Sequence, residues 1–446
     1  MSRTHALFPT RWALAAAVFV CVIAPASLVS LQIHALPRFS PIDEPAHFDY
    51  VERAARAELP RQGERLLPTT LREVACDGLY FGAKLPPCSA PTLRPEDFPG
   101  RGSQYEAQQA PAYYVLTVPL RWLTRHVVGI DDRLAATRAA NVFWLIAGLL
   151  LAWAAGRVMG IDPAPLTAAL LLLACAPTVI YESAIVSNDA AALAAGASVG
   201  LVAALAYRSG RTSWWAALFA TGFAAAALKQ SNDLVVVAIA AAFAVAAVRE
   251  RADAERWTTT LRRWLPRGGA LLLGAAVATA AWNVVHRSRA LIDLHDEPAY
   301  AMLRASPHGF GVILRQATPL LDPLTAGYVS PETLGRDVEQ VTSAVVRWLV
   351  IGAALAGLFA SPRRWPHVLG LITVPTLFLG GVALGLSLSL TYGMNPVLQP
   401  RHTLSLGPVL AIVLAAAVAG RWPTRVLAGC AAFVFGTTLV ALLEQA

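Results

Sequence analysis

Directly after its first long apolar run the chain reads Pro41-Ile42-Asp43-Glu44-Pro45-Ala46-His47-Phe48-Asp49-Tyr50. Two adjacent carboxylates, with a histidine four positions after the first, offer two kinds of chemistry. A carboxylate near a low-dielectric surface has its charged form disfavoured, so its pKa rises toward that of a useful general base. Asp43, Glu44 and His47 also suit a divalent cation completed by water. The same string starts a helix well, since two acids favour the positive end of the helix dipole. Further along, Ser187-Asn188-Asp189 follows an apolar run that contains Glu182. Read by its residues alone, Ser187-Asn188-Asp189 is good capping chemistry for the next helix. Lys229 is one of only two lysines among 36 Lys and Arg residues. Lys229 and Arg401 both flank apolar runs, where a cation neutralises a departing anion or snorkels as an anchor. His295-Asp296-Glu297 repeats the acidic pair in a different setting and reads as solvated loop charge.

The elements that must position these residues are membrane helices. Of 446 residues, 56% are hydrophobic and 14% charged, with a mean hydropathy of +0.53. Soluble domains carry about a quarter charged residues. Apolar runs at 12–35, 135–156, 164–186, 190–207, 213–228, 234–248, 268–285, 342–360, 366–390, 404–420 and 425–443 give about eleven spans. The first run resembles a signal peptide at Ala24-Pro25-Ala26, but its length and the runs that follow favour a retained helix. Residues 112–128 are interrupted by Arg121, Arg125 and His126 and contain Pro119, which predicts an amphipathic helix in the interface rather than a span. There Arg121 and Arg125 are expected to meet lipid phosphate.

The net charge of +8 is distributed between the runs, which argues against nucleic acid as a partner. With the N-terminus in the cytoplasm, every short inside loop is basic: Arg157; Arg208 and Arg211; Arg249 to Arg267; Arg363 and Arg364; Arg421 and Arg425. The two polar stretches, 37–110 and 287–341, then both lie outside. The expectation is a single all-α polytopic domain over 1–446, with a first external loop at 37–134 that includes juxtamembrane helices and a second at 287–341. Cys76 and Cys88 share the first loop, so an extracytoplasmic location makes a disulfide the expectation, against two unpaired thiols. Cys21, Cys175 and Cys430 lie in apolar runs as small hydrophobes. Trp214, Trp215, Trp257 and Trp264 stand near run boundaries, as interface anchors do.

The acidic pair after the first helix resembles the GT-C superfamily of integral membrane glycosyltransferases. The string from Asp43 to Tyr50 is most similar to a bacterial GT-C-like family of unknown function. Three more segments match in order: Tyr105-Glu106-Ala107-Gln108-Gln109-Ala110-Pro111-Ala112-Tyr113-Tyr114, Ser187-Asn188-Asp189, and Gln399-Pro400-Arg401-His402. The last departs from the family's QGRY, with Pro for Gly and His for Tyr. The resemblance implies a cell-envelope enzyme that moves a sugar from a polyprenyl-phosphate donor to a glycan or lipid acceptor hydroxyl, with inversion, on the outer face of the bacterial inner membrane. Asp43 would be the base, with Glu44 second to it. Lys229 and Arg401 would hold the donor phosphate, and Asp189 and His47 would assist the acceptor or a metal. A divalent cation, Mg or Mn, at Asp43, Glu44 and Asp189 is permitted and not demanded.

The chain carries no P-loop, dinucleotide fingerprint, HExxH or nucleophile elbow, which disfavours nucleotide-driven chemistry. A transporter of lipid or ion and a non-catalytic GT-C-shaped assembly partner are the alternatives. Transport is disfavoured because no inverted repeat is evident and the acids flank the spans rather than sitting at mid-membrane.

Overall fold

The computed structural model describes residues 11–40, 43–80, 82–209, 211–253, 257–299, 336–359, 365–392, 398–418 and 420–445, with isolated positions between 311 and 324. Among the described residues it is all-helical, with two isolated β-bridges and no strand. In chain order the helices are α1 (Arg11–His34), α2 (Glu44–Ala54), α3 (Pro68–Asp77), α4 (Ala112–Leu123), α5 (Arg133–Val158), α6 (Pro163–Ala174), α7 (Pro177–Ala184), α8 (Ala192–Ser209), α9 (Trp215–Leu228), α10 (Asp233–Asp253), α11 (Trp257–Arg289), α12 (Arg336–Phe359), α13 (Trp365–Tyr392), α14 (Gly407–Ala417) and α15 (Arg421–Gln445).

All eleven apolar runs coincide with helices. Eight described helical segments are long and apolar enough to cross a membrane, or nine when α6 and α7, bent by 59° to each other, count as one span. The chain is therefore a multi-pass membrane protein. Two runs fall outside that count. The run at 213–228 forms α9, which has only 14 residues, about 21 Å at 1.5 Å per residue. The run at 342–360 lies on α12. Most of the expected second loop lies outside the described residues, as do Pro41, Ile42, Arg256, Arg363 and Arg364.

Close helix approach depends on missing side chains. A Cβ added at Gly222 would stand 2.2 Å from the Leu271 carbonyl oxygen, and one at Gly274 would stand 2.0 Å from that of Phe219. These glycines let α9 and α11 pack backbone to backbone, as small residues do in membrane helices. At the basic end of the bundle Trp264 departs from expectation. It is 1% exposed, stacked with Tyr207 at 5.0 Å and lies under Arg267 at 4.7 Å. Trp264 is a core pillar and not an interface anchor, because it stacks on Tyr207 and Phe243, which in turn pack against Trp365.

The first loop is ordered by charge. Nearly all of α2 is buried, its acids and Arg53 included. Asp49 accepts from Leu67 N at 2.6 Å, Thr70 Oγ1 at 2.8 Å, Arg53 Nε at 2.8 Å and Gln104 Nε2 at 3.0 Å. Glu52 accepts from Arg121 and Arg133. Arg121 is thus committed to the protein and not to lipid, while Arg125 is exposed. Helix α4 and the turn after it present Val115, Leu116, Trp122, Val127 and Val128 outward, the apolar face an interfacial helix requires. Cys76 and Cys88 are joined by a disulfide.

Glu44 is the pin of this arrangement. It is fully buried and accepts from Arg138 Nε and Nη2 at 2.7 Å each, Ser40 N at 2.6 Å and Val186 N at 2.8 Å. Arg138 also donates to the carbonyls of Leu36 and Arg38. Removing one partner of such a pair leaves an uncompensated buried charge and costs about 3–5 kcal/mol. Glu44→Gln is therefore expected to lower the thermal unfolding midpoint in detergent markedly, and an unchanged midpoint would contradict the role.

Candidate active site

Asp43 precedes α2 with φ 60° and ψ −2°, the left-handed region, and makes no side-chain capping bond to its own helix. Asp and Asn visit this region more readily than most residues. The Asp43 carboxylate is left to bond outside its own helix, while its neighbour Glu44 is drawn to Arg138. Asp43 Oδ2 accepts from Arg401 Nη2 at 2.8 Å, and Oδ1 accepts from Tyr105 Oη at 3.1 Å.

Arg401 is the second residue of the 3-10 turn Pro400–Leu406, which a reciprocal bond pair between Gln399 and His402 caps. Gly196 of α8 lets that turn come close, since an added Cβ would stand 1.8 Å from the Ser405 carbonyl oxygen. Beyond Asp43, the guanidinium faces two more acids at distances too long for hydrogen bonds: Asp189 Oδ2 at 3.6 Å from Nε and Glu182 Oε1 at 3.9 Å from Nη1. Both Nε and Nη1 are buried without a hydrogen-bond partner.

Asp189 does not cap its helix. The Ser187 hydroxyl accepts the Asp189 backbone N–H at 3.2 Å, which frees the Asp189 carboxylate for Lys229 Nζ at 2.5 Å. Lys229 ends α9 in extended backbone and is 6% exposed, so it is a buried ion-pair partner and not a snorkelling anchor. Asp43, Asp189, Lys229 and Arg401 thus form one cluster at one end of the bundle, as their placement at helix ends suggested.

His47 lies one turn into α2. Its Nδ1 is 2.8 Å from Tyr114 Oη, and Tyr114 stacks on Tyr50 with ring centroids 3.7 Å apart. His47 Nε2 points at Glu106 Oε2, 4.0 Å away. Glu106 was not singled out from its motif, although it is the one charged residue between positions 102 and 120; that isolation was the available signal. Glu182 and Tyr105 join the cluster as well.

The electrostatics invert the expectation for Asp43. Burial alone would raise its carboxyl, but the Arg401 charge and the bonds from Arg401 and Tyr105 hold it below the usual carboxylate range. The raised acid is Glu106, pushed up to about 8 by burial and by the Asp43 charge. Burial, with the Lys229 and Arg401 charges, lowers His47 to about 3, so its imidazole is neutral near pH 7.

The expected metal set of Asp43, Glu44 and Asp189 is not brought together. The oxygens of Glu44 are occupied elsewhere, and Asp189 already faces two cations. The acids and histidine that do converge are Asp43, His47 and Glu106. No protein-family model matches the chain, and no curated protein matches it.

Asp189→Asn strips the buried Lys229 of its nearest carboxylate. The single variant is expected to lose about 3–5 kcal/mol, and Asp189→Asn combined with Lys229→Met to recover much of it. Thermal unfolding of the three variants in detergent checks this; a double variant no more stable than Asp189→Asn would show that the ion pair is not the cause.

Proposed function

We propose that the chain is an inverting glycosyltransferase of the GT-C type, acting on a polyprenyl-phosphate-linked sugar at the outer face of a bacterial inner membrane. The observation that carries this reading is Arg401. One edge of its buried guanidinium is bonded to Asp43, while Nε and Nη1 find no hydrogen-bond partner. A charged donor left unfilled is costly, and a phosphate oxygen suits it because charge-assisted bonds to guanidinium are strong and directional. Lys229 stands on the far side of Asp189 as a second cation.

In the proposed reaction the acceptor hydroxyl gives its proton to the Asp43 carboxylate as its oxygen bonds to the anomeric carbon. The bond from that carbon to the phosphate oxygen breaks on the opposite face, and the electron pair leaves with the polyprenyl phosphate. Arg401 and Lys229 take up the developing charge. Because Arg401 now holds Asp43 at low basicity, a phosphate that draws the guanidinium away would restore the base when donor is present. Glu44 serves beside it as the fixed anchor of the loop. With eleven spans, the N-terminus in the cytoplasm and the loop 37–134 outside, the site would face the head-groups of the outer leaflet.

A positioned general base contributes about 10²–10⁴-fold. Membranes supplied with a radiolabelled polyprenyl-phosphate sugar pool are expected to transfer label with wild type, and at least a hundredfold more slowly with Asp43→Asn. Transfer by both would remove Asp43 as base, and transfer by neither, with donor shown to be present, would sink the enzyme reading.

A further inference from the structure

Beside Arg401, a second group of atoms converges without bonding. One ligand atom each from Asp43, His47 and Glu106 lies within 4.8 Å of the others. The His47 Nε2 to Glu106 Oε2 separation of 4.0 Å is too long for a hydrogen bond. It is close to the spacing of two atoms that share one ion, since ligands at about 2.1 Å stand up to about 4.2 Å apart. The Glu106 side chain is 7% exposed, and its Oε2 has no hydrogen-bond partner. A buried carboxyl oxygen near an imidazole nitrogen, with no hydrogen-bond partner of its own, is what one ion held by both groups would satisfy.

The second ring nitrogen is already arranged as metal ligation requires. When His47 Nδ1 carries its proton to Tyr114 Oη, Nε2 presents its lone pair toward Glu106, and the outer bond fixes the ring. The stack of Tyr114 on Tyr50 holds that outer partner in place. Each oxygen of Asp43 keeps a lone pair beyond its bond to Arg401 or Tyr105. One imidazole and two carboxylates suit Mn2+ or Zn2+ better than the oxygen-loving Mg2+ and Ca2+, and no thiolate is present to favour softer ions.

We propose that Asp43, His47 and Glu106 bind one divalent transition-metal ion, Mn2+ or Zn2+, with its remaining positions open to water or to an oxygen of the substrate. The binding itself does not depend on the transferase reading; only the use of an open position for a donor or acceptor oxygen rests on it.

The test uses full-length, tag-free protein in detergent, stripped with EDTA and titrated with Mn2+ alone. The expected result is one Mn2+ per chain, displaced by Zn2+, with a 14N coupling in pulsed electron paramagnetic resonance. His47→Gln should abolish the coupling and Glu106→Gln should weaken binding at least tenfold. Absence of stoichiometric Mn2+, or a 14N coupling that survives in folded His47→Gln, would overturn the proposal. If either variant fails to fold, presence or absence of the coupling in wild type still decides. Transfer by metal-free protein that takes up no Mn2+ would remove the ion and leave the transferase standing, whereas a bound ion without transfer would do the reverse.

Discussion

The buried bond between Glu44 and Arg138 is the constraint on which the arrangement of the first loop depends. It joins the short segment from the exit of α1 to the start of α2 with the distant body of α5 and with the α7–α8 junction at Val186. Neither group is stable there without the other, because a lone buried ion is costly in low dielectric. Their pairing therefore sets where the loop can lie. Beside Glu44, Asp43 takes a left-handed backbone conformation, and its carboxylate bonds Arg401 and Tyr105 instead. Two neighbouring acids thereby do different work, one closing the fold and one facing Arg401.

Arginine serves the two ends of the bundle in different ways. At the basic end, Arg267 stands over the Trp264 ring and donates to the carbonyls of Arg263 and Arg211, and Arg208 donates to that of Val158. These bonds tie turns to helices and leave the charge spread over backbone dipoles. At the other end Arg401 meets carboxylates from three segments and satisfies one of them at hydrogen-bonding distance. The basic end pairs its arginines with backbone carbonyls, while the other end gathers several carboxylates around one guanidinium whose Nε and Nη1 have no hydrogen-bond partner.

Much of this was legible in the sequence. Apolar runs found helices because length and hydropathy are local properties, and alternation of the runs brought Asp43, Asp189, Lys229 and Arg401 to one end. The failures share a cause. Glu44 read as a second base because its partner, Arg138, stands 94 positions away, beyond any local pattern. Asp43 read as a carboxylate of raised pKa because burial was foreseeable and the guanidinium opposite it was not. Trp264 read as a boundary residue because its ring partners, Tyr207 and Phe243, come from α8 and α10. Glu106 was passed over inside a motif dominated by tyrosine and glutamine, although its isolation as a charge was visible. Position along the chain shows which end of a helix a residue occupies, but not whom it faces.

The left-handed backbone at Asp43 also narrows the alphabet that drift can explore there. Glycine takes the conformation freely and asparagine takes it tolerably, whereas β-branched and bulky side chains strain it. Of the residues that fit without strain, aspartate alone carries a negative charge. A change to Asn or Gly at this position would therefore keep the turn while removing the negative charge that faces Arg401.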